Sequence, residues 1–257
     1  MAQMNPSDQE RTLLYRLFQI SCLAIVLALV SWAGCSEDSD PASVMPGPEP
    51  NLSFLALGDS YTVGHSLPQE WSWPFQLADS LSASGDTLRN LDVIAQTGWT
   101  TRDLLDAFRD SLDAGRLQQR PYGLATLMIG VNNQFQGVDT WIFEAELDTL
   151  LSLALEMTGG DPERVLGFSI PDYGVTPVGE MFGSDRIGRE IQIHNAILAR
   201  KYGERDIVMI DVTTLSRLAG TDPQLVARDG LHYSREMYRQ WVALMLPAVR
   251  VCLGLSD

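Results

Sequence analysis

The sequence predicts an α/β protein, a three-layer α/β/α sandwich built on a mainly parallel sheet of five strands. Two observations lead there. Short apolar runs alternate along the chain with stretches of helical period, and each run breaks at its end into a turn rich in glycine, asparagine or aspartate. Parallel neighbours need a helical crossover, and the crossovers are right-handed, so helices cover both faces of such a sheet.

The elements follow in order. Phe54-Leu55-Ala56-Leu57 reads as a buried strand that ends at Gly58-Asp59-Ser60-Tyr61. A first helix is expected over 68–81, carrying Trp71, Trp73, Phe75 and Leu77. The second strand, 91–95, runs into Gln96-Thr97-Gly98-Trp99-Thr100. Thr100 or Thr101 can cap the next helix, whose Leu104, Leu105, Phe108 and Leu112 recur at helical spacing. The third strand, 124–129, closes in Gly130-Val131-Asn132-Asn133, and 141–157 is the longest amphipathic helix. A fourth strand, 165–170, gives way to an irregular loop from Pro171 to Pro177. A helix over 184–202, a fifth strand over 207–212 and a closing helix capped by Ser234 complete the chain. Ligands of such sheets gather at the carboxyl ends of the strands, where Ser60, Gly98, Asn132 and the loop from Asp229 to His232 all fall.

Ahead of this domain, expected over 51–257, the apolar run from Leu17 to Ala33 reads as an export segment spanning 1–35. Ala33-Gly34-Cys35 resembles the end of a bacterial lipoprotein signal, in which Cys35 is acylated and becomes the mature N-terminus. Trp32 stands where that motif has an aliphatic residue, and Ser31-Trp32-Ala33 also fits ordinary secretory cleavage. Residues 36–50, rich in serine, acid and proline, read as a solvated tether. The expected location is therefore the cell envelope, on a lipid anchor, with a secreted or periplasmic protein as the alternative.

A formal charge of −15, with Lys201 the single lysine, leaves no basic patch for nucleic acid. The cysteines, Cys22, Cys35 and Cys252, have no metal-ligand spacing and form no disulfide framework. Oligomeric state is not legible in these features.

A serine at a strand end needs a base to become a nucleophile, and the chain has three histidines. His65 follows Ser60 on the same loop, too close in sequence to reach Oγ easily. His194 lies on the inward stripe of its helix, between Ile191 and Leu198, and reads as a structural residue. His232 remains, in Arg228-Asp229-Gly230-Leu231-His232-Tyr233. Asp229 can accept from its Nδ1–H and leave Nε2 to take the Ser60 proton. Gly98 and Asn132 are placed to offer N–H donors to a developing oxyanion, the one through a backbone free of side chain, the other through a neutral amide.

Gly58-Asp59-Ser60, Gly98, Gly130-Val131-Asn132-Asn133 and Asp229-Gly230-Leu231-His232 occur in the order of the four blocks of the SGNH hydrolases, or GDSL esterases, and the sequence from Asn51 onward resembles that family. The resemblance implies a flavodoxin-like α/β/α fold, Ser60 as nucleophile, His232 as base and Asp229 as its partner. The Ser60 N–H, the Gly98 N–H and the Asn132 amide would form the oxyanion hole. The family usually has aspartate where Asn133 stands and often proline where Tyr233 stands. The chemistry expected is hydrolysis of carboxylic esters through an acyl-enzyme, with no metal or organic cofactor. Short acyl groups, such as acetyl on a carbohydrate or small molecule, are the expected substrates, since no long apolar insertion resembles a lipase lid. Trp71, Trp73, Trp99, Phe135 and Tyr173 are candidates for the pocket. An O-acyltransferase with the same triad, or a surface lipoprotein that binds without turnover, are the alternatives.

Overall fold

Five parallel strands form one sheet in the order β2-β1-β3-β4-β5: β1 (Ser53–Gly58), β2 (Asn90–Ala95), β3 (Leu124–Met128), β4 (Val165–Phe168) and β5 (Val208–Ile210). The computed structural model describes residues 50–117 and 119–255. These fall in one compact unit, Pro48–Asp257. The export segment with Cys35, and all of the tether except Pro50, lie outside the described residues. No helix among the described residues is long and apolar enough to cross a membrane.

The three central strands, β1, β3 and β4, are buried at every position, which is why they read as unbroken apolar runs. The edge strands β2 and β5 carry exposed Val93 and Val208. In chain order the helices are α1 (Ser60–Val63), α2 (Trp73–Ala83), α3 (Thr101–Asp113), α4 (Val131–Phe135), α5 (Thr140–Met157), α6 (Pro177–Met181), α7 (Ser184–Gly203), α8 (Val212–Ser216) and α9 (Arg235–Cys252). Helix α2 packs on α9, while α3 packs on α5 and α5 on α7. The chain steps outward from β1 to β2, then returns past β1 to β3 and continues the other way. Right-handed crossovers therefore lay α2 on one face and α3, α5 and α7 on the other. The reversal opens a crevice between β1 and β3, whose ends Gly58 and Met128 lie in register.

The fourth and fifth strands end earlier than the sequence reading has them, at Phe168 and Ile210, and the first long helix starts later. Residues 69–71 form a separate 3₁₀ turn, and α2 starts only at Trp73, with Pro74 in its first turn where a missing N–H costs nothing. At α3 the capping residue is Thr100: its Oγ1 accepts from Asp103 N–H at 3.4 Å, and its own N–H donates to Asp103 Oδ2 at 2.9 Å.

The core below the site is aromatic. Tyr61, directly after Ser60, and Tyr233, directly after His232, hold their rings 5.5 Å apart, and both pack on Trp241 of α9. Each such ring pair contributes about 0.5–1.5 kcal/mol beyond the area it buries. The first and last loops of the domain are thus fastened together one residue away from the groups they carry. Tyr233, which departs from the family pattern, supplies half of that fastening.

Candidate active site

Ser60 is delivered by a tight turn at the carboxyl end of β1. A Cβ at Gly58 would stand 2.1 Å from Thr62 Oγ1 and 2.7 Å from the Met128 carbonyl oxygen, so only glycine lets the chain turn there. Asp59 caps α1, accepting from Tyr61 N–H at 3.0 Å. Burial pushes the Asp59 carboxyl up to about 7, against the pull of that cap bond. Ser60 opens the helix, where backbone N–H groups have no intrahelical acceptor, and its N–H makes no hydrogen bond among the described residues.

His232 comes from the other end of the chain and lines the same cavity as Ser60. Its Nδ1 lies 2.7 Å from Asp229 Oδ2, while Asp229 Oδ1 accepts from the N–H groups of Leu231 and His232 at 2.9 and 3.0 Å. Burial opposes ionisation of Asp229. The hydrogen bonds from Ser66, the Leu231 N–H, the His232 ring and the His232 N–H outweigh it and hold the carboxyl well below the ordinary range. An ionised Asp229 makes Nδ1 the protonated nitrogen and leaves the lone pair on Nε2. Burial lowers the His232 pKa, the Asp229 hydrogen bond and charge act against that, and His65 adds to the lowering. The ring therefore gives up its proton at a lower pH than an ordinary histidine. Among the described residues no hydrogen bond joins Ser60 Oγ to His232; such contacts commonly tighten only around substrate.

The proposed oxyanion donors meet at the same place. Gly98, at φ +87°, follows β2 and leaves its N–H without a partner among the described residues. Asn132, in α4 after β3, spends one amide hydrogen on the Trp99 carbonyl at 2.9 Å, which orients the side chain and leaves the other hydrogen free. Gln136 donates to the Gly98 carbonyl at 3.2 Å, a second tie between the two loops. Ser60, Gly98, Asn132 and His232 all line one cavity of about 340 Å³. Its remaining walls are largely apolar and include Val131, Phe135, Tyr173, Val178, Phe182 and Leu231.

Residues 56–240 match the model of the GDSL-like lipase/acylhydrolase family. The chain belongs to that family. It is accordingly an ester hydrolase of the serine type. No curated protein matches the sequence. Solved structures of similar fold include an acetyl xylan esterase, AlAXEase, at 18% identity and TM-score 0.60, covering 77% of this chain and 99% of that one. The psychrotrophic esterase EstA from Pseudoalteromonas sp. is 18% identical with TM-score 0.59, covering 79% of this chain and 98% of that one. A lipase/acylhydrolase from Enterococcus faecalis is 18% identical with TM-score 0.59, covering 80% and 98%.

Within this GDSL hydrolase the aromatic residues expected near the pocket divide. Phe135 and Tyr173 line the cavity. Trp73 does not: it is fully buried between Phe54 and Phe168, its ring 6.0 and 5.2 Å from theirs. Trp71 lies under the Arg235 guanidinium at 5.1 Å, and Trp99 borders a separate groove along β2 and α3. His194 is buried against Phe143 with Nδ1 on the Glu190 carbonyl at 2.9 Å, as a structural residue would be. Asn133, the departure from the family's aspartate, is fully buried. Its Oδ1 accepts from Thr101 N–H at 3.0 Å and its Nδ2 donates to Thr101 Oγ1 at 2.7 Å, so it still locks α4 to the start of α3.

Sequence reasoning missed Ser66. It sits at φ +68° and donates to Asp229 Oδ2 at 2.5 Å across 163 residues, on the oxygen that faces the His232 ring. Ser66→Ala should lower kcat/KM by about tenfold, the scale of a hydrogen bond to a charged group. With its charge less dispersed, Asp229 should hold the proton on His232 more firmly, so the acid limb of the pH profile should move upward. A serine that only shaped the loop would cost activity without moving that limb.

Proposed function

We propose that the protein hydrolyses carboxylic esters through an acyl-enzyme on Ser60, and that the acyl group it accepts is an apolar chain longer than acetyl, a departure from the short acyl groups such as acetyl that the sequence led us to expect. The observation that carries this reading is a single cavity holding Ser60, the Asp229-bonded His232 and two backbone N–H groups that have no partner among the described residues, with largely apolar walls. His232 Nε2 removes the hydroxyl proton as Oγ attacks the ester carbonyl. The N–H groups of Ser60 and Gly98 and the Asn132 amide receive the oxyanion, and the imidazolium returns its proton to the leaving alkoxide. Water then repeats the sequence on the acyl-Ser60 ester, with the same base. Asp229 holds the ring in the required tautomer throughout.

The acyl preference rests on the walls. A cavity of about 340 Å³ is more than an acetyl group fills, and the side chains of Val131, Val178, Leu231 and Phe182 offer it no polar partner. Each added methylene that stays inside gains about 0.8 kcal/mol, so kcat/KM should rise by up to about fourfold per carbon before levelling off. A series of p-nitrophenyl esters from acetate to octanoate measures it, and a preference for acetate would count against this substrate class. The same reading places the enzyme in the cell envelope on an acylated Cys35, on the strength of the apolar run and Ala33-Gly34-Cys35.

A further inference from the structure

Beside the cavity, and outside the groups assigned to acyl transfer, His65 brings a second imidazole against His232. The two ring centroids are 4.6 Å apart with planes tilted by 51°. Gly64, at φ +74°, ends α1 and turns the chain so that His65 lies over the base while Ser66 reaches Asp229. One donor atom from each of His65, Asp229 and His232 lies within 4.8 Å of the other two. Ligands bound to a tetrahedral metal at about 2.0–2.1 Å stand about 3.3 Å apart. The His65 ring is exposed, so a small rotation closes the set.

The donor types select the ion. Two imidazoles and a carboxylate suit zinc and its first-row neighbours, whereas calcium and magnesium take oxygen ligands. His65 Nδ1 lies 2.9 Å from Thr97 Oγ1, the outer hydrogen bond that metal-binding histidines use to fix their orientation, and this leaves Nε2 as the ligand atom. The chain's formal charge of −15 raises the local concentration of cations.

We propose that His65, Asp229 and His232 form a site for a divalent first-row cation, zinc foremost, and that its occupation reversibly silences the hydrolase. Because Asp229 Oδ2 lies against Nδ1 of His232, an ion bound by both residues sits at Nδ1 and takes the place of the ring proton there. The ring proton then sits on Nε2, which donates instead of accepting the Ser60 proton, and the base is lost. No oxidation state changes.

The test uses the full-length protein, stripped with a chelator, in three forms: wild type, His65→Ala and Ser60→Ala. Zn²⁺ is titrated against hydrolysis of a p-nitrophenyl ester, and Co²⁺ binding is followed in parallel by its visible absorption. Wild type should lose activity with one equivalent bound, and EDTA should restore it. His65→Ala should keep its metal-free rate within a few-fold and need at least about tenfold more Zn²⁺ for half-inhibition. Ser60→Ala, with all three ligands intact, should still give the Co²⁺ spectrum. That arm separates metal binding from the catalytic reading, because it needs no turnover. Wild type left fully active at millimolar Zn²⁺, equal sensitivity in His65→Ala, or a Co²⁺ spectrum that survives His65→Ala would each overturn the proposal.

Discussion

Replacing Ser60 with alanine is expected to lower turnover of a soluble p-nitrophenyl ester by about 10⁴-fold or more, and His232→Ala to lower it nearly as much. The reason is that neither group works alone. In the proposed mechanism Ser60 Oγ attacks only as a base removes its proton, and His232 is the base proposed to take it. The double variant should therefore be little worse than either single one, since the second substitution removes a step already lost. Circular dichroism and thermal melting separate this from misfolding. Rates near wild type in a folded Ser60→Ala protein would remove the acyl-enzyme from the mechanism.

Asn132→Ala should cost about 10²–10³-fold in kcat while KM changes little. One of its amide hydrogens is already spent on the Trp99 carbonyl, so only the other can answer the charge that develops on the substrate oxygen. That interaction strengthens as the carbonyl becomes tetrahedral, and its loss therefore appears in kcat. The Ser60 and Gly98 N–H groups remain, which is why the loss stops short of that for the nucleophile. A drop in kcat/KM carried entirely by KM would instead make Asn132 a ground-state binding residue.

The fold was legible because its central strands are buried on both faces and its turns carry glycine. The run at Phe54 and the glycine at position 58 together place a serine at a strand end before any coordinates are known. His232 could be reached by elimination, and the structure does bring it into one cavity with Ser60, Gly98 and Asn132. What could not be read was lateral. Trp73 and Trp71 are two residues apart at the start of the first helical stretch, yet one turns into the core against Phe168 and the other toward Arg235. Helix phase decides that, and the phase depends on α2 starting at Trp73 after the 3₁₀ turn, which the apolar pattern does not reveal. Ser66 leaves no trace in the sequence at all. Its partner lies 163 residues away, and its left-handed backbone is one that serine seldom adopts. Phe182 and Val178 were hidden for a similar reason, since they come from the irregular stretch around α6, whose path is set by tertiary contacts such as the Val178 N–H bond to the Gly230 carbonyl at 2.9 Å.

The claim on which everything else rests is that Ser60 is the nucleophile with His232 as its base. Labelling with a fluorophosphonate followed by peptide mass mapping tests it most directly. One adduct on the peptide containing Ser60 is expected, forming much more slowly in His232→Ala, together with loss of esterase activity in proportion to labelling. A protein that hydrolyses esters while Ser60 stays unmodified, or an adduct on any other residue that tracks the loss of activity, would contradict it.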